Sequence, residues 1–281
     1  MTTPKKISRY VRIAQLAYRL TQTSFPLYRR RKSKKTFTQP QLAACVLLMM
    51  YVNQSYRDFE EWLYASDQVC AALELTTIPD YSTLNRAFHR LTEIRLQRLL
   101  TALLKQLKVK ETVIAGDSTG YPLSTASAYY RTRSGKRLRD WLKGSYAVGT
   151  QTQLILVAHS SRGNRANDAH MLEPLRNGAR PYARGRDWVF LGDTGFDCQA
   201  VTDRDLIPPM RRRGQLVAPE RKARADLVAQ ARLDGLFGQR WKTETVHSVI
   251  KRKFGEHIRS KLKDRQNREP LIKAVIYNLH R

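Results

Sequence analysis

Acidic residues are missing from the start of this chain: positions 1 to 57 hold no Asp or Glu. Over all 281 residues, 24 acids face 51 Lys and Arg, so 51 − 24 leaves a formal net charge of +27. An imbalance of this size asks for a polyanionic partner, most commonly nucleic acid. A membrane surface is better matched by one basic amphipathic helix than by charge spread along a whole chain. Cysteine is scarce as well. Cys45, Cys70 and Cys198 are odd in number, far apart and without CxxC or Cys-His spacing. They make no complete disulfide framework and no zinc site, and are expected to be reduced side chains in the core of a cytosolic protein. Long apolar runs are absent too. The longest, Leu42 to Val52, is about half of the roughly 20 residues that a spanning helix needs. Lys5, Lys6, Arg9 and Arg12 precede no sustained apolar stretch, so no secretory leader is expected. What is present is a hydrophobic share of 42%, which excludes disorder of the whole chain and allows one or two cores.

The acid-free stretch contains Arg29-Arg30-Arg31-Lys32-Ser33-Lys34-Lys35. No acid neutralises it, so it reads as a segment that tracks phosphates and releases their counterions, with a solvated basic loop as the plainer alternative. After it the apolar spacing turns helical. Gln41 to Gln54 and Tyr56 to Ala65 carry apolar residues three and four apart. A further stripe of Leu84, Phe88, Leu91, Ile94, Leu99 and Leu103 follows Ser82, an expected N-cap, with a break expected near Thr92. Residues 1–108 therefore read as an all-helical basic module, for DNA binding and dimerisation or simply as a scaffold.

From residue 109 to 281 strands alternate with helices, the pattern of an α/β domain. Thr112 to Asp117, Ser145 to Val148, Leu154 to Ala158, Trp188 to Asp193 and Leu206 to Met210 are strand candidates. Helices are expected at Asp168 to Asn177, at Gln199 to Arg204, and after Pro219 with a break near Gly235–Gly238.

Two aspartates, Asp117 and Asp193, end apolar strands in matching Gly-Asp-Ser/Thr contexts. Open α/β sheets bind ligands at such ends, although a lone aspartate there commonly caps a turn. Each preceding glycine permits a close backbone or ligand approach. A third acid lies in Phe237-Gly-Gln-Arg240-Trp-Lys-Thr-Glu244-Thr-Val-His-Ser-Val-Ile-Lys251. At about 100° per residue, Phe237, Arg240, Glu244 and Lys251 fall within roughly 60° on one helix face. The alternative is a solvated face with an ordinary i,i+4 ion pair.

These residues resemble the DDE triad of bacterial insertion-sequence transposases, and the last segment resembles that family's Tyr-x2-Arg-x3-Glu-x6-Lys signature, with Phe237 in place of the tyrosine. Phe196-Asp197, Tyr56 to Trp62 and Ser82 to Arg86 are similar to other stretches of the family, so that the resemblance spans roughly residues 40 to 260. It implies a ribonuclease-H-like α/β fold, a mixed sheet flanked by helices, preceded by the all-helical N-terminal domain. It implies Asp117, Asp193 and Glu244 as catalytic acids holding two Mg²⁺ (or Mn²⁺) ions, with Arg240 and Lys251 as phosphate clamps. It also implies Phe237 as a DNA-contacting residue, here without the hydroxyl that the family's tyrosine offers to phosphate. The implied partners are double-stranded DNA, both terminal inverted repeats and target, and a second copy of the chain in a synaptic homodimer. The implied location is the cytoplasm, at the nucleoid.

Weaker candidates complete the reading. Arg131, Arg133, Lys136, Arg137, Arg139 and Lys143, interleaved with Tyr129, Tyr130, Trp141 and Tyr146, suit a DNA backbone and a stacked base, or a basic loop. Arg211 to Arg213 suit a phosphate or a solvated turn. Trp241 is expected in the core, His247 is a possible aid to a proton or a metal, and a helix-capping role is enough for His170. Two rival functions stay open: a nuclease of the same fold that only hydrolyses DNA, and a DNA-binding descendant of a transposase that has lost the chemistry.

Overall fold

Why the first hundred residues fold into helices is visible at their caps. A computed structural model describes residues 7–281 except 33, 124–132, 134–140, 163–166 and 212–217. Six helices come first: α1 (Arg9–Ser24), α2 (Gln39–Tyr51), α3 (Tyr56–Tyr64), α4 (Asp67–Ala72), α5 (Tyr81–Arg90) and α6 (Glu93–Gln106). Helix α2 starts two residues before the expected position. Gln41 N donates to Thr38 Oγ1 at 3.2 Å while Thr38 N donates to Gln41 Oε1 at 2.9 Å, with Pro40 in the first turn. This reciprocal box satisfies amides that the helix start leaves unpaired. Every residue of α2 is buried, as expected for the central helix of a bundle; α1 and α5 pack against it. Asp80, not Ser82, caps α5, accepting from the Ser82 and Thr83 amides at 2.8 and 3.0 Å. Two steps in, the Ser82 hydroxyl donates to the same carboxylate at 2.6 Å. The expected break near Thr92 separates α5 from α6.

The chain groups into two compact units, one holding residues up to Gln106 together with Ile272–Arg281, the other Leu107–Leu271. The sequence reading set its boundary at 108/109 and gave no helix to the C-terminal end, where α10 (Lys263–His280) runs.

The second unit is built on a five-stranded mixed sheet with strand order β3-β2-β1-β4-β5. The strands are β1 (Val113–Pro122), β2 (Trp141–Gly149), β3 (Ile155–Ser161), β4 (Val189–Leu191) and β5 (Asp205–Leu206). The first three form an antiparallel meander, and β4 and β5 then add in parallel beside β1. Among the described residues its main helices are α7 (Leu172–Ala179), α8 (Pro219–Leu233), α9 (Trp241–Phe254) and the first part of α10. This mixed sheet flanked by helices is the ribonuclease-H-like arrangement that the resemblance implies. The helix expected at Gln199 to Arg204 is absent. A 3-10 turn at Thr194–Phe196 stands just before it, and the chain then runs without helix into β5. The helix expected from Asp168 splits into a 3-10 turn, Asp168–Met171, and α7.

Strand β1 runs five residues past Asp117, so this aspartate lies mid-strand rather than at a strand end. The reason is that β1 has two neighbours of unequal length. Its antiparallel pairing with β2 continues to Pro122, whereas its parallel pairing with β4 stops at Ala115↔Leu191. Apolar Val113, Ala115 and Leu191 pack together on one face, with Leu206 and Leu236 against them.

Candidate active site

The register of the sheet brings two acids side by side. Ala115 pairs with Leu191 on parallel strands, and two residues further along each chain come Asp117 and Asp193. Side chains two apart share a face and adjacent strands lie about 4.8 Å apart, so the two carboxylates are placed as neighbours. Asp193 still has extended backbone, φ −81°, ψ 178°. Each carboxylate is fixed by a nearby amide: Ser118 N donates to Asp117 Oδ1 at 2.8 Å, and Gly195 N donates to Asp193 Oδ1 at 2.9 Å.

The glycines before the acids serve packing rather than ligand approach. A Cβ on Gly116 would lie 2.4 Å from Cζ of Phe190, and one on Gly192 would lie 3.1 Å from the Phe196 ring. Small residues there let aromatic rings close the opposite face.

Burial and crowding raise the protonation range of both acids. For Asp193 burial is the main cause, followed by the charges of Asp117 and Asp168. For Asp117 burial again leads and Asp168 adds to it, against the Ser118 amide, Arg240 and Thr243. Asp168 is thus a fourth carboxylate at the site, which the sequence shows only as the start of an expected helix, in a segment where capping is enough to explain His170. Asn167 performs that capping instead, accepting from Ala169 N at 3.2 Å. Lys143, expected to contact phosphate, is paired with Asp168 at 2.6 Å.

The third acid arrives on a helix laid against β1. Phe237–Arg240 forms a 3-10 turn, so the continuous helix assumed for the signature begins only at Trp241. Thr243, Val246, His247, Ile250 and Phe254 make the buried stripe of α9. Glu244 sits beside this stripe, its side chain 61% exposed, and Arg240 NH2 donates to its Oε1 at 3.1 Å. The other arm of Arg240 lies 3.8 Å from Asp117 Oδ2. One guanidinium therefore bridges the strand acid and the helix acid, supplying the positive charge that a cation between them would supply.

Two residues of α9 reach the same oxygen from behind. Thr243 Oγ1 donates to Asp117 Oδ2 at 3.2 Å, and His247 Nδ1 lies 3.7 Å from it. Burial lowers the His247 range to about 4, with Lys251 and Arg240 acting in the same direction, so the imidazole is neutral near pH 7. Thr243 was missed in the sequence because an isolated threonine in a helix carries no pattern. Its only signal was a small hydroxyl one step before the signature glutamate.

The remaining sequence candidates divide. Lys251 Nζ stands 6.0 Å above the Tyr121 ring. Phe237 is covered by Arg232, whose guanidinium lies 5.2 Å from the ring centroid. Tyr146 is fully buried and shares a 2.8 Å hydrogen bond with the Tyr121 hydroxyl, which corrects the reading of this tyrosine as a base-stacking platform. Trp241, expected in the core, is 55% exposed, because the buried stripe runs through Thr243 and His247 instead. Trp141 lies over Gly120 and is half exposed. Arg29, Arg30, Arg31, Arg133 and Arg211 are all exposed. Arg131, Lys136, Arg137, Arg139, Tyr129, Tyr130, Arg212 and Arg213 lie outside the described residues. Phe196 is buried, and Asp197 holds α8 through Arg221, at 2.5 Å, and Arg224.

Among the described residues, no three His, Cys, Asp or Glu side chains are gathered into a ready metal cage, since Glu244 is turned to Arg240. The donor chemistry nevertheless fits a hard divalent cation. All the candidate ligands are carboxylate oxygens, and Asp193 is crowded by Asp117 and Asp168 in a way that a cation relieves. No described helix is long and apolar enough to cross a membrane.

No curated protein and no solved structure matches the chain. A family model described as "Transposase DDE domain" matches residues 108–279, which include all three acids and more than half of the sequence. On that match, the chain belongs to the DDE transposase family.

Proposed function

We propose that this protein binds the inverted-repeat ends of a mobile element, cuts the DNA there and joins the freed ends to target DNA, in the cytoplasm and at the nucleoid. The observation that carries the reading is the parallel register of β1 and β4, whose last pair, Ala115↔Leu191, stands two residues before Asp117 on one chain segment and two before Asp193 on the other. The two acids stand under a helix that carries Glu244 and touches Asp117 through Thr243.

In this reading Asp117, Asp193 and Glu244 hold Mg²⁺ or Mn²⁺, two ions per site. Metal held there would supply activation of an attacking oxygen and stabilisation of the leaving oxygen in an in-line phosphoryl transfer. The chain's own residues do the rest. The Ser118 and Gly195 amides keep the two aspartates aimed at one point, which lowers the cost of organising the site at the moment of reaction. Arg240, with its planar fork, and Lys251, as a point charge, hold phosphate oxygens beside the acids. For Arg240 to do so it must release Glu244, and the same movement frees the carboxylate to turn toward the aspartates. Neutral His247 supports Asp117 without adding charge. A homodimer is part of this proposal, because two element ends need two sets of acids.

The test is a supercoiled plasmid carrying the repeats that flank the gene, incubated with purified protein and Mg²⁺, with Asp193→Asn alongside. Cleavage at the repeat ends with joined products, absent in the variant, supports the proposal. Cleavage without joined products would assign the chain to simple hydrolysis.

A further inference from the structure

A second charged feature lies at the other end of β4. The carboxyl end of this strand leads to Asp193, while its amino end follows Trp188. At about 3.3 Å per residue the two positions are roughly 16 Å apart. Around Trp188 the end of α7, the loop before β4 and the turn before β5 line a half-open cleft of about 470 Å³, within the size range of small-ligand pockets. Four arginines, Arg176, Arg180, Arg186 and Arg204, line it against a single lining carboxylate, Asp203.

Two of these arginines are committed to the fold. Arg176 pairs with the buried Asp205 and donates to the Ala200 carbonyl at 2.9 Å. Arg204 donates to the carbonyl of Arg186. Arg180 and Arg186 are exposed, and no described residue accepts from or pairs with either guanidinium. Basic residues at the end of a helix also complement its dipole, which accounts for Arg176 and Arg180 near the end of α7. It does not account for Arg186 and Arg204, which arrive from separate loops. A concave wall of one sign concentrates potential, and the guanidinium fork matches phosphate oxygens in pairs.

We propose that this pocket grips a phosphate of the DNA backbone, distinct from the phosphodiester that lies at the acids, and so anchors a second point of the duplex. The inference rests on the reading of the protein as a DNA-acting transposase. Arg180 and Arg186 supply the free forks, Arg176 and Arg204 brace the wall, and Asp203 weakens the grip.

The experiment is fluorescence anisotropy of the full chain with a labelled random-sequence duplex, between about 50 and 200 mM salt. Arg180→Gln/Arg186→Gln is expected to lower the slope of log affinity against log salt by between about one and two. Arg180→Lys/Arg186→Lys keeps the net charge and is expected to weaken binding about fivefold, because the paired fork geometry is lost. Asp203→Asn is expected to tighten binding. Both arginines are exposed, so unchanged thermal unfolding will show that the variants fold. Wild-type affinity and slope in the lysine pair would overturn the pocket. So would loss of calorimetric binding of inorganic phosphate with duplex binding intact, which would assign the pocket to small anions. If the wild type itself shows no salt-dependent duplex binding, the DNA-acting reading fails instead.

Discussion

The two aspartates and the glutamate come to the same site by different routes. Asp117 stands on β1 and Asp193 just past the end of β4, both partly buried, each tied to a backbone amide and brought together by the parallel pairing of the two strands. Glu244 stands on α9, mostly exposed, and is held by the arginine four residues before it. The sheet half is rigid because its geometry is fixed by pairing partners far away in sequence. Helix α9 itself is anchored by its buried stripe, but the Glu244 carboxylate is placed by one exposed ion pair, weak enough to rearrange. A site built this way keeps its electrostatic strain at the two aspartates and its freedom of movement in the glutamate side chain.

The largest expected effect breaks the rigid half. Asp117→Asn or Asp193→Asn should lower DNA cleavage by at least about a thousandfold, measured on an end-bearing duplex, while duplex affinity stays within about twofold. The same changes should stabilise the metal-free fold at neutral pH. Burial raises both carboxyl groups above their ordinary range, so the folded chain holds their protons to higher pH than the unfolded chain. Their contribution is favourable below the ordinary carboxylate range and is lost as pH rises through the raised values. At pH 7 the ionised pair therefore opposes folding, and asparagine should raise Tm by a few degrees. Thermal scans from pH 7 downward should show this gap to wild type closing.

Next comes the separation of the two halves. Glu244→Gln should abolish cleavage as fully as the aspartate changes. Yet calorimetric titration with Mn²⁺ in the absence of DNA should show an affinity loss under about threefold, against about tenfold or more for Asp193→Asn. The difference follows from Glu244 lying on Arg240 in the free protein. Equal losses would mean that the glutamate is already part of the metal site.

A smaller effect probes the joint between the halves. The single hydroxyl hydrogen of Thr243 has two acceptors, Asp117 Oδ2 at 3.2 Å and the Arg240 carbonyl at 2.8 Å. Thr243→Val keeps the shape and removes the donor. It should lower kcat about tenfold with little change in KM, and Thr243→Ser should restore the rate. The smallest effect is at Phe237→Tyr, which should leave the rate within about twofold, because Arg232 already covers the ring.

Legibility in the sequence follows the same division. Apolar runs and breakers located β1 to β4, most of the helices before residue 255 and the breaks near Thr92 and Gly235, since these are local signals, but they missed α10 and met β5 only at Leu206. What escaped was set by partners distant in sequence. The extension of β1 past Asp117 comes from β2, and the glycines at 116 and 192 answer to Phe190 and Phe196. Periodicity treated Phe237 to Lys251 as one helix, whereas the turn Phe237–Arg240 precedes α9. Asp168 reads in the sequence only as the start of a helix and Thr243 carries no pattern, and only the folded chain brings their side chains to the acids.

The most direct test of the central claim, that a mobile helix acid completes a rigid pair of strand acids, is Mg²⁺-dependent cleavage of an end-bearing duplex by purified Glu244→Gln protein. The account predicts no cleavage above background in a variant that binds the duplex and unfolds at the wild-type temperature. Cleavage at the wild-type rate would contradict it, and would leave Asp117, Asp193 and a different third ligand to do the chemistry.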